Sequence, residues 1–342
     1  MGVQLGDIVP RQEITLKDLQ GKKIAIDAMN SLYQFLAIIR QPDGTPLKNA
    51  RGEVTSHLSG LLYRTTNLVE KGIKPVYVFD GEPPKLKHLT IHKRGETRRE
   101  AMEKWEEALE EGDLEKARTH AQAASRLTPE MVETSKQLLE AMGIPYVQAP
   151  SEGEAQAAYM AKKGDTWASA SQDYDSLLYA TPQLLRNVTI TGKRKLPRKN
   201  VWVDVSVEKA TLNETLEKNG ITLEQLVDIA ILVGTDYNIG GVKGVGPKKA
   251  LQLIQKYGCI EEIPPKEGIE LGFPAEEIRK IFLKPKVTED YTIRWGEPDK
   301  EKVIEILCVQ NNFSRDRVEK AVTRLQEAIS ESIAQTALSQ WF

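Results

Sequence analysis

GKKIAIDAMNSLYQFL, residues 21–36, sets the fold class. Lys22–Ile26 reads as a short apolar strand, and Asp27 stands where it stops. From there the apolar residues recur at helical spacing, so a strand runs directly into a helix. KPVYVFDGEPP (74–84) repeats the pattern: a β-branched and aromatic strand ends at Asp80 and is broken by Gly-Glu-Pro-Pro. DTWASASQDYDSLLYA (165–180) reads as a third strand and IPYVQAP (144–150) as a short fourth.

Helical patterns fill the intervals, at 54–72 and 128–143. The second has Thr128 as N-cap, Pro129 at the first helical position and Gly143 just past the end. Strands alternating with helices indicate an α/β fold with a mostly parallel central sheet flanked by helices. Residues 85–127 differ: they are highly charged, with no wide apolar stripe, and read as a solvated helical excursion. After residue 220 the chain turns helical.

The 342 residues are 40% hydrophobic and 28% charged, an ordinary composition for a chain with a large core. No apolar run approaches the roughly 18 residues of a membrane span, and the first residues lack a signal-peptide layout. Gly6 stands where a myristoylation motif wants Ser or Thr. Cys259 and Cys308 lack metal-ligand spacing and read as small core hydrophobes. The net charge of −2 argues against a nonspecific polyanion binder, but the charges are segregated. Basic residues cluster at 85–99, 186–199 and 243–256, and acids at 103–115.

In an open parallel sheet, functional groups gather beyond the carboxyl ends of the strands. Asp27, Asp80, Asp173 and Asp175 are therefore expected at one edge, the last two side by side in an extended segment. Glu152 and Glu154 follow Ser151, read as the N-cap of a helix whose first turn faces that edge. Such a carboxylate rim needs a cation. Oxygen-only ligands indicate Mg²⁺ or Mn²⁺, two of which can clamp an in-line phosphoryl displacement. A P-loop is excluded because Gly241–Gly246 is followed by Pro247, and HExxH is absent.

GGVKGVGPKKALQLIQKYG (240–258) reads as the turn and second helix of a helix-hairpin-helix, which grips a DNA backbone without reading bases. Gly244, Gly246, Lys248 and Lys249 are its candidate phosphate contacts, and Asp236, between the helices, is a seventh acid for the rim. Lys87 and Arg94 are seven residues apart and would share a helix face, able to hold and polarise a phosphate. His88 and His92 lack a third ligand for zinc.

Together these residues resemble the flap endonuclease family of structure-specific 5′ nucleases, in its archaeal form. The resemblance rests on IAIDAMNSLYQFL, VYVFDGEPP, APSEGEAQAAY, SQDYDSLL and GTDYN-x5-GVGPKKAL, in that order, and runs from MGVQLGDI to the last residue. It implies a PIN-like nuclease domain over 1–330, a helical arch at 82–128 that threads a single-stranded flap, and a helix-hairpin-helix region at 223–258. It also implies two Mg²⁺ ions, with Mn²⁺ as a substitute, on Asp27, Asp80, Glu152, Glu154, Asp173, Asp175 and Asp236. Catalytic roles fall on Asp80, Asp173, Lys87 and Arg94. Tyr33 matches an aromatic that stacks on an unpaired base, Gly2 a residue near the active site, and Thr55 part of a pocket for a one-nucleotide 3′ flap. Thr90 departs from the family, which often carries Glu there.

Residues 331–342 form a tail ending in QTALSQWF, which matches a sliding-clamp-binding peptide anchored by Gln335, Leu338, Trp341 and Phe342. The expected function is removal of 5′ flaps from branched DNA in replication and repair, with 5′→3′ exonuclease activity, by a cytoplasmic monomer of an archaeon that binds no membrane. The alternatives are a 5′→3′ exonuclease or a junction or bubble nuclease of the same superfamily, and a non-catalytic adaptor of clamp and DNA with a structural metal site.

Overall fold

Residues 23–27 and 74–79 lie side by side as parallel strands, with Ile26 opposite Tyr77 and Asp27 opposite Val78. Their side chains alternate between two cores: Ile24, Ile26, Tyr77 and Phe79 pack on one face, Ala25, Val76 and Val78 on the other. A strand covered on both faces reads as an unbroken apolar run, which is why these two were legible in the sequence. Complete burial of Phe35 and Phe79 contributes about 2 kcal/mol each.

A computed structural model describes residues 2–41, 43–190, 192–195 and 202–338. The strands are β1 (Gln12–Ile14), β2 (Lys23–Asp27), β3 (Lys74–Phe79), β4 (Tyr146–Gln148), β5 (Ala168–Ala170), β6 (Gln183–Arg186), β7 (Gly192–Lys195), β8 (Trp202–Val205) and β9 (Val207–Thr211). Seven form one sheet in the order β1-β9-β6-β5-β2-β3-β4, and β7 pairs with β8. Neighbours from β6 to β4 are parallel; β9 runs antiparallel to both β6 and β1. The expected α/β fold with a mostly parallel sheet is the one observed.

One sheet face is covered by helices Ala28–Ile38, Ser56–Glu70, Pro129–Ala141 and Arg315–Leu338, through Leu32, Phe35, Leu61, Leu138 and Leu325. A second core joins Val3, Leu5, Leu177 and Leu178 to helices Leu223–Val233, Pro247–Tyr257 and Ala275–Leu283. Asp228, 2% exposed, receives hydrogen bonds from Arg279 Nε at 2.8 Å and the Ile260 amide at 3.2 Å, tying two of these helices together. The Pro129 helix starts and stops as its sequence dictates: Thr128 accepts from the Met131 amide, and Gly143 takes φ +68°. A side chain on Gly143 would also strike the Gly296 carbonyl.

Residues 85–127 are a helical hairpin, His88–Glu110 and Leu114–Ala123, turning at Gly112. Few of its residues are buried, among them Thr90, Ala101, Ala108, Ala117 and Ala121. Three local expectations need correction. The first strand is shifted by one residue and includes Asp27, because Asp27 pairs with Val78 before capping the next helix. Ser151 does not cap the following helix; its hydroxyl donates to the Glu82 carbonyl, and Glu152 holds the N-cap position of Gly153–Lys163. Asp173 and Asp175 are not in extended chain, since Asp175 opens a one-turn helix, Asp175–Leu178.

Cys259 and Cys308 are free and partly buried. Among the described residues no helix is long and apolar enough to cross a membrane. Of the tail, Gln335 and Leu338 fall at the end of Arg315–Leu338, and Trp341 and Phe342 lie outside the described residues. Residues 191 and 196–199 of the basic cluster at 186–199 also lie outside them.

Candidate active site

β5, β2 and β3 are neighbours and parallel, so their carboxyl ends open on one side. Asp27 closes β2 and accepts from the Asn30 amide at 2.9 Å. Asp80 follows β3 and accepts from the Gly153 amide at 2.7 Å. That bond needs a glycine, because a Cβ at 153 would stand 2.7 Å from Asp80 Oδ1. Gly153 begins the helix carrying Glu154 and is capped by Glu152, so one backbone amide locks two acid-bearing segments together.

Asp173 and Asp175 are aligned from the chain start. Asp173 accepts from the Gly2 amide at 2.9 Å and Asp175 from the Val3 amide at 2.7 Å. An added Cβ on Gly2 would lie 2.5 Å from both Asp173 Cβ and Asp175 Oδ1. Between the two acids, Tyr174 is held by Arg186, whose Nη1 donates to its hydroxyl at 2.8 Å and whose Nε donates to the Gln172 carbonyl at 3.0 Å. Asn30 Nδ2 reaches Asp173 at 3.3 Å, and the Ser171 hydroxyl donates to Glu154 at 2.5 Å.

Asp236 enters from the helical half. The Thr235 amide and hydroxyl both donate to Asn238 Oδ1, and Asn238 Nδ2 donates to the Ile231 carbonyl, fixing a tight turn. Three residues of the hairpin close on Asp236. Arg94 Nη2 donates to its carboxylate at 2.5 Å, the Lys87 ammonium lies 3.7 Å away, and the Thr90 hydroxyl donates to its carbonyl at 2.5 Å. Lys87 also donates to Glu152. The Lys87–Arg94 face expected from spacing is therefore present, and Thr90 lies on it.

The acids are close enough to feel one another. Burial, then the charge of Asp80, pushes Asp27 up to about 8; burial, then Asp173, pushes Asp175 up to about 7. Burial, then Asp175, holds Glu154 well above the ordinary range. Asp80 and Glu152 are raised by burial against the opposing charge of Lys87. Burial alone would lower Lys87, but Glu152 and Asp80 outweigh it and hold the ammonium charged. This is the signature of a carboxylate cluster short of positive charge.

Among the described residues no group of three or more His, Cys, Asp or Glu side chains is gathered closely enough to hold a metal ion by itself. An open, all-oxygen rim with unneutralised charge fits hard divalent cations that keep several waters, and Mg²⁺ is such an ion.

The other expected residues are placed as follows. Tyr33 is half-buried on helix Ala28–Ile38, with the Arg98 guanidinium 5.2 Å from its ring centroid. Thr55 is 3% exposed, so its side chain presents almost no surface. Gly244 has φ +77°, Gly246 caps Pro247–Tyr257, and Lys248 and Lys249 are on its first turn. His88 and His92 lie on the hairpin, and His92 is 3.6 Å from Glu96. Asn30, Ser171, Tyr174 and Arg186 were not foreseen. Only Asn30 left a sequence signal, three residues past the capping Asp27.

Residues 1–101 match the XPG N-terminal domain and residues 143–236 the XPG I-region. The chain is 54% identical to flap endonuclease 1 of Pyrococcus horikoshii, covering 100% of this chain and 98% of that one. It is 56% identical to flap endonuclease 1 of Archaeoglobus fulgidus, covering both completely. The solved structure of flap endonuclease-1 from Methanococcus jannaschii superposes with a TM-score of 0.76 at 48% identity, over 96% of this chain and 99% of that one. The fold and these relatives define a nuclease that hydrolyses phosphodiester bonds. The chain belongs to the flap endonuclease family of structure-specific 5′ nucleases acting on branched DNA.

Proposed function

We propose that the rim holds two Mg²⁺ ions, Asp27, Asp80, Glu152 and Glu154 serving one and Asp173, Asp175 and Asp236 the other, with Mn²⁺ as a substitute. When bound, the ions supply charge that activates a water and stabilises the attacked phosphodiester. The observation that carries this reading is the reach of Lys87 and Arg94 onto Glu152 and Asp236.

Two cations at hydrogen-bond distance from the acids sit where a phosphate between rim and hairpin would lie. Lys87 stays charged there, and Arg94 offers a planar pair of donors. On substrate entry they exchange carboxylate for phosphate oxygens, hold the scissile phosphate and neutralise charge as it develops. The hairpin acts as an arch over a single-stranded 5′ flap. Gly244, Gly246, Lys248 and Lys249 hold duplex backbone, through exposed amides at a helix start backed by two cations. Tyr33 stacks on an unpaired base near the cut once Arg98 leaves its face. Gly2 works through the amide it gives Asp173, and Thr55, its side chain buried, supports the wall of the 3′-flap pocket rather than touching the nucleotide.

The same site trims recessed ends as a 5′→3′ exonuclease, and the protein acts as a monomer. Gln335, Leu338, Trp341 and Phe342 dock on a sliding clamp, aromatic side chains being the anchors that gain most from burial in a partner's pocket. The test is cleavage of a labelled double-flap DNA with and without Mg²⁺, mapping the product end. Full cleavage in EDTA, or cutting independent of the flap junction, would overturn the reading.

A further inference from the structure

Three side chains form a relay that ends on the acid rim. The Thr189 hydroxyl donates to Gln34 Oε1 at 3.2 Å, Gln34 Nε2 donates to Asn30 Oδ1 at 2.6 Å, and Asn30 Nδ2 donates to Asp173 Oδ2 at 3.3 Å. Asn30 and Gln34 lie one turn apart on helix Ala28–Ile38, and Thr189 comes from a short turn of helix, Val188–Ile190, after β6. The direction of the relay is forced from its rim end. A carboxylate only accepts, so Asn30 must offer its NH₂ and turn its oxygen away. Gln34 must then give its own NH₂ to that oxygen, and its remaining oxygen faces a hydroxyl, which can turn either way.

The other oxygen of Asp173 accepts from the Gly2 amide at 2.9 Å. Each carboxylate oxygen thus holds one donor, which fixes the plane of the group and leaves further lone pairs for a cation. The relay passes a cavity of about 10 Å³ lined by Asn30, Gln34, Ser171 and Thr189 with Ile26 and Val188, room for about one water. A water there could replace a lost link, but it donates and accepts alike and would not enforce the direction. An amide pair one turn apart can simply steady a helix. This pair is tied at one end to Asp173, 143 positions from Asn30, and at the other to Thr189, 155 positions from Gln34, which helix stability does not require.

We propose that Asn30, Gln34 and Thr189 are positioning residues whose relay sets the orientation of the Asp173 carboxylate and so raises the affinity of the rim for a hard divalent cation. The inference rests on the metal-dependent nuclease reading above.

The test is calorimetric titration of the DNA-free protein with Mn²⁺ alone. Gln34→Met keeps the length of the side chain and removes its polar ends. Its Mn²⁺ dissociation constant should rise about 10-fold, a usual cost of losing a partner that orients a metal ligand. Asn30→Ala should match it, and the double variant should lose no more than either alone, since both break one relay. Gln34→Glu brings a negative charge that would by itself attract the cation. It cannot donate to Asn30, however, so the Asn30 amide turns its oxygen on Asp173 and binding weakens. The Mg²⁺ concentration for half-maximal flap cleavage should rise with each Mn²⁺ constant. Melting temperatures without metal separate a packing defect: a variant that melts earlier yet binds Mn²⁺ like the unaltered protein overturns the inference. Additive losses, or tighter binding by Gln34→Glu, do the same. If the unaltered protein binds Mn²⁺ and cuts flaps while every variant binds alike, the relay fails alone. If the unaltered protein does neither, the metal reading fails and takes this inference with it.

Discussion

Arg94 and Asp236, 142 positions apart in the chain, are joined by a hydrogen bond of 2.5 Å from guanidinium to carboxylate. Through it, the highly charged hairpin is anchored on the acid rim. Lys87 and Thr90 reach the same residue at helical spacing, so one residue of the helical half holds a whole face of the hairpin.

Asp236→Asn should loosen that anchor. Amide hydrogen exchange across residues 88–99 is expected to quicken about 10-fold, the worth of a charge-assisted bond at a partly exposed site. Exchange in Ser56–Glu70 should stay as it is. Unchanged exchange in the hairpin would show that its position does not depend on Asp236.

Asp80→Ala and Asp173→Ala should each lower cleavage by at least about 10³-fold, equivalent to several kcal/mol of lost charge stabilisation. Affinity for flap DNA in Ca²⁺ should remain within about 3-fold, because phosphate contacts elsewhere dominate binding. Gel shift and single-turnover cleavage separate the two quantities. Retained cleavage in both variants would refute the assignment of these acids.

Gly2→Ala places a methyl group 2.5 Å from the Asp175 carboxylate and the Asp173 Cβ. Single-turnover cleavage should fall about 10–100-fold, the usual cost of misaligning a supporting group. The melting temperature should fall much less than activity, since the methyl meets the side chains of Asp173 and Asp175 rather than an apolar core residue. A loss of stability with full activity would reverse this expectation.

His57 is 2% exposed, and among the described residues neither ring nitrogen has a partner. Burial depresses it to about 4. The unfolded chain takes up its proton near about 6.5, while the folded one waits until about 4. Stability is therefore whole above about pH 6.5 and falls as pH drops toward about 4, by up to about 3 kcal/mol. His57→Leu should flatten that part of the urea-midpoint profile. An unaltered profile would exclude His57 as its source.

Deleting residues 335–342 should abolish stimulation by a sliding clamp and leave basal cleavage unchanged. Equal loss of both in steady-state assays would show that the tail supports the fold instead.

Much of this protein is readable along the chain. Asp27 and Asp80 announce themselves because each ends an apolar strand, and strand period and strand-end position are local properties. The Lys87–Arg94 face is equally local, a consequence of 3.6 residues per turn. What the sequence left out depends on partners far along the chain. Asp173 and Asp175 converge not through strand alternation but because the amides of Gly2 and Val3, 171 and 172 positions away, draw them in. Ser151 has the look of an N-cap, yet its hydroxyl serves the Glu82 carbonyl while Asp80 takes the Gly153 amide. Arg98 covers Tyr33, and Arg186 braces Tyr174 between two acids; neither pairing has a sequence period.

The sequence by itself determined the sheet-and-helix order, the strand-end carboxylates and the spacing of the hairpin cations, because each follows from torsional preference and periodicity within a few residues. Only the tertiary structure decided which acids share one charge field, that Asp236 is the hairpin's anchor, and that Thr189 reaches Gln34 across 155 positions. Those are properties of packed distance. Coulombic repulsion, desolvation and cavity shape act through space between segments that chain order keeps far apart.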